Sequence, residues 1–276
     1  ATLSPTIGMV QKNERIVEQG EIVNERTYQV LQSLQRAYKD ENAGNKQKKL
    51  SLLGESILVV LFLSLFVIYL AVFRPNYARR TSVMLFFCLQ IFIVIALACL
   101  ALRFGLSIYL VPFAWVAILT RVFLDSRTAL SLHLTTILIT SVIVPAPVEF
   151  FFIQMAVGMV AVSSLFDLTR RAQLLQTAGW ILLAESIAYT AITFAQTGVF
   201  TTIVAWNYLY FFISALLIVG CYGLIYLFEK VFHFISSITL VELADINSDL
   251  LHLLAEKAPG TFQHSMQVSN LASEAA

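Results

Sequence analysis

The sequence predicts an all-α membrane protein: a seven-helix transmembrane bundle, preceded by a short extracellular α+β remnant and followed by the first helices of a cytoplasmic domain. Three observations carry that prediction. Apolar residues make up 58% of the 276 and charged residues 13%, with a mean hydropathy of +0.79, whereas soluble domains carry roughly 25% charged residues. The apolar residues are gathered into seven runs separated by short polar loops. Basic residues alternate from one loop to the next, as they do when a chain crosses a bilayer repeatedly. A net charge of +1 offers no global field to draw a nucleic acid polymer.

Residues 1–49 are polar and unlike the rest. Ile16-Val17-Glu18-Gln19-Gly20-Glu21-Ile22-Val23 reads as a short β piece with a glycine turn. A helix follows in which Tyr28, Leu31 and Leu34 recur three apart on one face. Gly44 to Lys49 is a polar lead-in to the first span. The chain begins at Ala1 without a charged-then-apolar signal segment, and both ends are expected to be cut from a longer protein.

Apolar spans fall at about 50–73, 83–102, 106–124, 129–145, 148–166, 174–195 and 204–228. A helix needs ~20 residues to cross ~30 Å of hydrocarbon, which the first two and last two runs supply comfortably. Pro145-Ala146-Pro147 stops the fourth, because proline cannot continue a helix and biases its predecessor toward extended backbone. A re-entrant hairpin of spans four and five, leaving five crossings, is the alternative; the loop charges favour seven. Arg74, Arg79 and Arg80 follow span one, Arg127 follows span three, Arg170 and Arg171 follow span five, and Lys230 follows span seven. The intervening loops hold Arg103 alone, no Lys or Arg after span four, and an uncharged Gln196–Thr202 segment after span six. The positive-inside bias then puts the N-terminus outside and the C-terminus in the cytoplasm. Lys46, Lys48 and Lys49 lie on the wrong side, which a translocated upstream domain allows. Trp206, Tyr208 and Tyr210 suit an interfacial aromatic belt at the outer start of span seven. Cys88, Cys99 and Cys221 sit in apolar runs without C-x-x-C spacing and read as small buried hydrophobes.

Past Tyr226 the apolar positions become periodic. Phe228, Phe232, Ile235 and Thr239, flanked by Val231 and Ile238, predict that span seven continues as one helix out of the membrane with an apolar face. Phe228 to Leu243 holds no Gly or Pro. The stripe calls for a partner, either a second subunit's equivalent helix or lipid headgroups. Asn247-Ser248 offers an N-cap for a helix over Leu250 to Lys257, which Pro259-Gly260 ends. Thr261 is placed to cap the next helix, on which His264, Val268, Leu271 and Ala275 share one face.

Two stretches carry a family resemblance. Glu242-Leu243-Ala244-Asp245-Ile246-Asn247, the paired Leu250-Leu251 and Ala258-Pro259-Gly260-Thr261-Phe262-Gln263-His264-Ser265 resemble the junction of the seven-transmembrane HD receptors, E-L-x-D-x-N…LL…APGT-[YF]-x-HS. Residues 10 to 34 resemble that family's V-x-K-G-E-x-I-V-x-x-G-x-x-V segment, with Asn13 in place of a glycine. Ser248-Asp249 stands where the family often has His-Pro. The resemblance implies the membrane part of a bacterial receptor phosphodiesterase in the inner membrane. In intact form such a protein hydrolyses cyclic di-AMP to the linear dinucleotide on two divalent ions of Mn or Fe type, under an extracellular sensor of unknown ligand. Its partners would be cyclic di-AMP and the lipid bilayer, and the apolar stripe adds a homodimer as the counterpart of lipid headgroups. The implied domains are 1–49, the end of the extracellular domain; 50–228, the bundle; 229–260, linker helices; and 261–276, the first HD helix, truncated. His264 matches the family's first metal-binding histidine. No His-Asp doublet occurs in the chain, so no catalytic residue is assigned here and the fragment is expected to be inactive.

Within the bundle the unusual residue is Glu185, near the middle of span six, with His133, Gln90 and Gln154 as possible partners. An intramembrane carboxyl is a functional candidate by default, and its bland counterpart is interhelical hydrogen bonding. His252, Glu256 and Lys257 read as solvated and His233 as a residue of the membrane exit. Glu55, Glu149, Arg103 and Arg121 can reach the interface and are given no role. Walker A, G-x-G-x-x-G and H-E-x-x-H patterns are absent, and span seven has no lysine for a retinal Schiff base. A multi-helix transporter or channel, supported by Pro145-Ala146-Pro147 and Glu185, and a non-catalytic membrane sensor are the other readings.

Overall fold

The computed structural model describes residues 16–17, 23–165, 172–199, 202–236, 239–240 and 249–275, and every regular element among them is helical. The chain divides into two compact units, Ala1–Ile57 and Leu58–Ala276. The first unit holds the start of α1 (Glu25–Phe73), where Tyr28 and Leu34 are exposed. The polar lead-in at 44–49 is itself helical. Apart from Ile16, Val17 and Val23, the β piece of the expected α+β remnant lies outside the described residues.

In the second unit α1 is followed by α2 (Pro75–Ala78), α3 (Thr81–Arg103), a 3-10 turn (Ile108–Leu110), α4 (Ala114–Phe123), α5 (Ser126–Ser141), α6 (Pro147–Ser164), α7 (Ala172–Thr197), α8 (Ala205–Val219), α9 (Cys221–Phe232), α10 (Asp249–Lys257) and α11 (Pro259–Ala275). Helix therefore forms at each of the seven apolar runs. Among the described residues four stretches are long and apolar enough to cross a membrane: Gln47–Phe73, Thr81–Arg103, Pro147–Ser164 and Gln173–Thr197. The α8–α9 pair becomes a fifth if its 40° bend is kept within one span. That bend falls at Gly220, where a Cβ would stand 3.1 Å from the Leu217 carbonyl oxygen.

The third and fourth runs differ from the expected continuous spans. Pro112 interrupts the third: it cannot donate to a helix, and Val111 before it is extended, with φ −80 and ψ 124. What remains is a 3-10 turn and the 10 residues of α4, about 15 Å of helix. The fourth run gives the 16 residues of α5, about 24 Å. Pro147 then opens α6 at its first turn, where a missing N–H costs nothing.

The short α4 is mostly apolar and mostly buried. Val116, Ala117, Ile118 and Leu119 are closed off from solvent, and α3, α5, α6 and α9 pack around it. By contrast, the part of α1 within this unit buries only Phe66 and Leu70, with Phe66 edge-on to Phe87 at 5.4 Å. Hydroxyls inside α5 and α7 are satisfied by their own helices: Thr136 donates to the Leu132 carbonyl, Thr140 to Thr136 and Thr193 to Tyr189, at 2.8–2.9 Å. Such back-bonding keeps polar side chains tolerable in an apolar bundle. Of the three cysteines, only Cys221 is buried; Cys88 and Cys99 face outward, against the expectation that all three were buried.

The exit of the last span also departs from the expected uninterrupted helix. It stops at Phe232, and His233 takes the left-handed conformation with φ 55 and ψ 37. Phe234 then turns back onto the bundle, with its ring 5.3 Å from Phe86 and 5.5 Å from Phe123. Phe228 and Phe232 are edge-on to the same Phe86. Phe228 and Phe232 of the predicted apolar stripe are thus covered within the chain, while Val231 and Ile235 stay exposed. Further on, α11 begins at Pro259, so Thr261 lies inside the helix and does not cap it. The residues expected to cap α10 lie outside the described residues.

Candidate functional site

Three places could carry function: a polar cluster inside the bundle, the exit of α9, and the helix that holds His264. The cluster is built on a four-residue repeat. Thr177, Ile181, Glu185, Tyr189 and Thr193 are all buried along α7, because residues four apart stack on one helix face. Glu185 is 2% exposed. The side-chain amide of Gln154 on α6 faces it, yet neither atom of that amide closes a hydrogen bond of ordinary geometry, and Glu185 Oε2 has no partner either.

His133 reaches the same helix from α5. Its Nε2 lies 2.9 Å from the main-chain oxygen of Gln154; a carbonyl only accepts, so Nε2 carries the proton. Nδ1 has no hydrogen bond of good geometry. The imidazole gets there because residue 158, one turn beyond Gln154, is a glycine: a Cβ at Gly158 would meet the ring Cδ2 and stand 2.6 Å from Nε2. Of the three partners expected for Glu185, Gln154 is brought to it, while His133 is spent on the Gln154 backbone. Gln90 forms a separate pair with Thr120, its Nε2 donating to Oγ1 at 3.3 Å.

Two ends frame this cluster. At one, the Tyr109 hydroxyl donates to Glu149 at 2.6 Å, and Tyr109, Tyr189, Tyr208 and Phe211 form an edge-to-face group. Glu149, given no role from sequence, is therefore a tie between the turn before α4 and α6. Tyr208 pairs with Thr190 at 2.7 Å, whereas Trp206 is exposed as a belt residue would be. At the other end, Arg74 Nη2 donates to Asp125 Oδ1 at 3.1 Å. The same carboxylate caps α5 by accepting from the N–H groups of Arg127 and Thr128. Arg121, also passed over, donates from Nε to the Leu165 carbonyl at 3.3 Å. These contacts and the Phe86 cluster bring the loops of Arg74, Arg79, Arg80 and Arg127 and the end of α9 with Lys230 to one end of the bundle.

The α9 exit is held by Glu229, which sequence reasoning missed. Its Oε1 accepts from the Ser236 N–H at 2.9 Å and from the Thr239 hydroxyl at 2.7 Å. Ser236 Oγ in turn accepts from the Thr239 N–H at 3.2 Å, and the Leu240 N–H bonds to the Ser236 carbonyl. Ser236 thus caps the helical residues Thr239 and Leu240. A serine at position 236 is a suitable N-cap type, but no Glu or Gln follows three residues later to complete a capping box.

His264 lies on α11, where no residue is buried; Val268 and Leu271 on its face are exposed. Among the described residues no group of three or more His, Cys, Asp or Glu could hold a metal ion. His252 and Glu256 on α10 stand 4.0 Å apart and well exposed, a geometry of little energetic weight.

Apolar helices around a buried polar cluster, with basic loops gathered at one end, define a multi-pass helical membrane protein. More specifically, the chain belongs to the family described as 7TM receptor with intracellular HD hydrolase, whose model matches residues 49–236. It is similar to the cyclic-di-AMP phosphodiesterase PgpH of Listeria monocytogenes serotype 1/2a (strain 10403S), 26% identical over 274 residues that cover 95% of this chain and 37% of that protein. The protein of the same name from Bacillus subtilis (strain 168) is 24% identical over 283 residues, 97% of this chain and 38% of its own. The chain thus spans less than two fifths of the length of these curated relatives. No solved structure matches it. Membership of this family disfavours the transporter or channel reading.

Proposed function

We propose that this chain is the membrane part of a receptor phosphodiesterase, in which an extracellular sensor acts through a seven-span bundle on a cytoplasmic HD domain that hydrolyses cyclic di-AMP to the linear dinucleotide. The observation that carries the reading is the family match across the bundle, and the activity named for both relatives supports it. The organisation follows the boundaries 1–49, 50–228, 229–260 and 261–276, with the N-terminus outside and the C-terminus in the bacterial cytoplasm.

In this reading His264 is the first ligand of a site for two divalent ions of Mn or Fe type, which when bound supply an activated hydroxide and stabilise the phosphodiester transition state. This chain contributes one imidazole, a suitable ligand when neutral. The exposed Val268 and Leu271 offer that helix face to the remainder of an HD fold. Glu185 and His133 act as ties between helices, since a single buried carboxyl makes a poor ion path.

The test uses the full-length protein in liposomes. His264→Ala is expected to lower cyclic di-AMP hydrolysis by more than roughly 100-fold, beyond the loss of a supporting residue, and to reduce the bound metal measured by mass spectrometry. Residues 1–276 alone are expected to show no turnover. Unchanged metal content and rate in the His264 variant would remove the assignment. Glu185→Gln, which keeps a donor and an acceptor, is expected to fold and respond like wild type; loss of the response in a folded variant would give the carboxyl proton a role.

A further inference from the structure

Between the start of α3 and the end of α9 runs an open groove of about 620 Å³, lined by Thr81, Ser82, Leu85, Leu89, Val231, Phe232 and His233. Its walls and its mouth differ in chemistry. Leu85, Leu89 and Val231 are exposed apolar side chains, and α3 is one of the helices long and apolar enough to lie in hydrocarbon. From Ser82 to Leu89 the wall descends about 10 Å along the helix axis, which suits the first part of an acyl chain. The mouth is polar and basic: Thr81 and Ser82 bring hydroxyls, Arg79 and Arg80 directly precede them, and Lys230 and His233 come from the α9 side.

Among the described residues the charge at this mouth is only partly offset. Asp125 is paired with Arg74 and caps α5, and Glu229, hydrogen-bonded to Ser236 and Thr239, sets one negative charge against Arg79, Arg80 and Lys230. Among the described residues no carboxylate lies within ion-pair distance of Arg79, Arg80 or Lys230. A zwitterionic lipid would bring its own cation to the same mouth. We infer that this groove binds an anionic phospholipid of the surrounding bilayer, with its phosphate at the Arg79–Ser82 mouth and an acyl chain along Leu85, Leu89 and Val231. Because Phe232 forms one wall and also packs on Phe86, the lipid would stand directly against the point where the last span leaves the membrane.

The full chain, purified in detergent, is titrated with phosphatidylglycerol or phosphatidylcholine, and retained lipids are counted by native mass spectrometry. Wild type should retain phosphatidylglycerol in preference to phosphatidylcholine. Arg79→Gln and Arg80→Gln should each weaken retention about fivefold, the contribution of one cation at an anionic surface. Leu85→Trp, which fills the groove and leaves the charge alone, should reduce retention of the same lipid; Leu89→Trp replaces it should Leu85→Trp fail to fold. Equal retention of both lipids by wild type, or retention of phosphatidylglycerol unaffected by the tryptophan, overturns the proposal. So does a tryptophan variant that changes the oligomeric state while leaving the lipid count alone, which would give the groove to a second copy.

Discussion

At position 158 the lack of a side chain decides how two helices meet. The His133 ring occupies the space that a Cβ would take and reaches the Gln154 carbonyl one turn away. Gly158→Ala should therefore act as overpacking, at about 1–3 kcal/mol, seen as a lower Tm in detergent. Adding His133→Ala should recover much of that loss, because the two changes share one contact; a strictly additive double variant would refute the packing account. Asp125 gives a pH-dependent counterpart outside the spans. Burial pushes its carboxyl up, but the hydrogen bonds from Thr128 and Arg74 outweigh this and hold it below the ordinary carboxylate range. A depressed folded-state value means that its stabilisation is in place at neutral pH and is lost as pH falls through and below that range. Asp125→Ala, which also removes an N-cap worth ~1 kcal/mol, should lower Tm at neutral pH, and the gap to wild type should narrow toward about pH 3. A gap that stays constant with pH would show that the charge contributes nothing.

Helix boundaries were legible where backbone chemistry sets them and illegible where side chains do. Pro145-Ala146-Pro147 marked the α5–α6 break because proline's missing N–H and ring clash act in any context. Pro112 carries the same signal, and weighing it would have split the third run. The end of α9 is a different case. Nothing in Phe228–Leu243 forbids helix, and the chain turns because Phe234 gains a place against Phe86 and Phe123 while Glu229 satisfies the freed Ser236 N–H. Glu229→Ala removes the acceptor for two donors, roughly 1–2 kcal/mol, so amide exchange at Ser236 should quicken about tenfold. Glu229→Gln keeps a carbonyl acceptor and should retain most of the protection. Exchange that is the same in the alanine variant would mean that the aromatic contacts alone hold the exit.

For the whole molecule, the turns and helix ends that carry Arg74, Arg79, Arg80, Arg127 and Lys230 meet at one end through the Arg74–Asp125 pair and the Phe86 cluster. In the orientation proposed above, which puts that end in the cytoplasm, a cysteine introduced at the exposed Asn76 on α2 should react with an impermeant maleimide only after the cells are opened. Labelling from outside would invert the orientation. The same arrangement makes short α4 intelligible: enclosed by α3, α5, α6 and α9, it has no need to span the hydrocarbon by itself, because its neighbours satisfy and cover it.

Composition and periodicity by themselves determined that this is a helical membrane protein, where its apolar helices lie and which loops are basic. Those properties follow from transfer free energies and the 3.6-residue repeat, which act residue by residue along the chain. The same reading singled out Glu185 as the carboxyl buried in the bundle, since its cost is visible wherever the bundle closes. Only the tertiary structure decided that Gln154 faces Glu185, that Gly158 exists for His133, and that the last span turns at His233. Each of these depends on a neighbour from a distant part of the chain, and the local sequence is compatible with more than one outcome until that neighbour is in place.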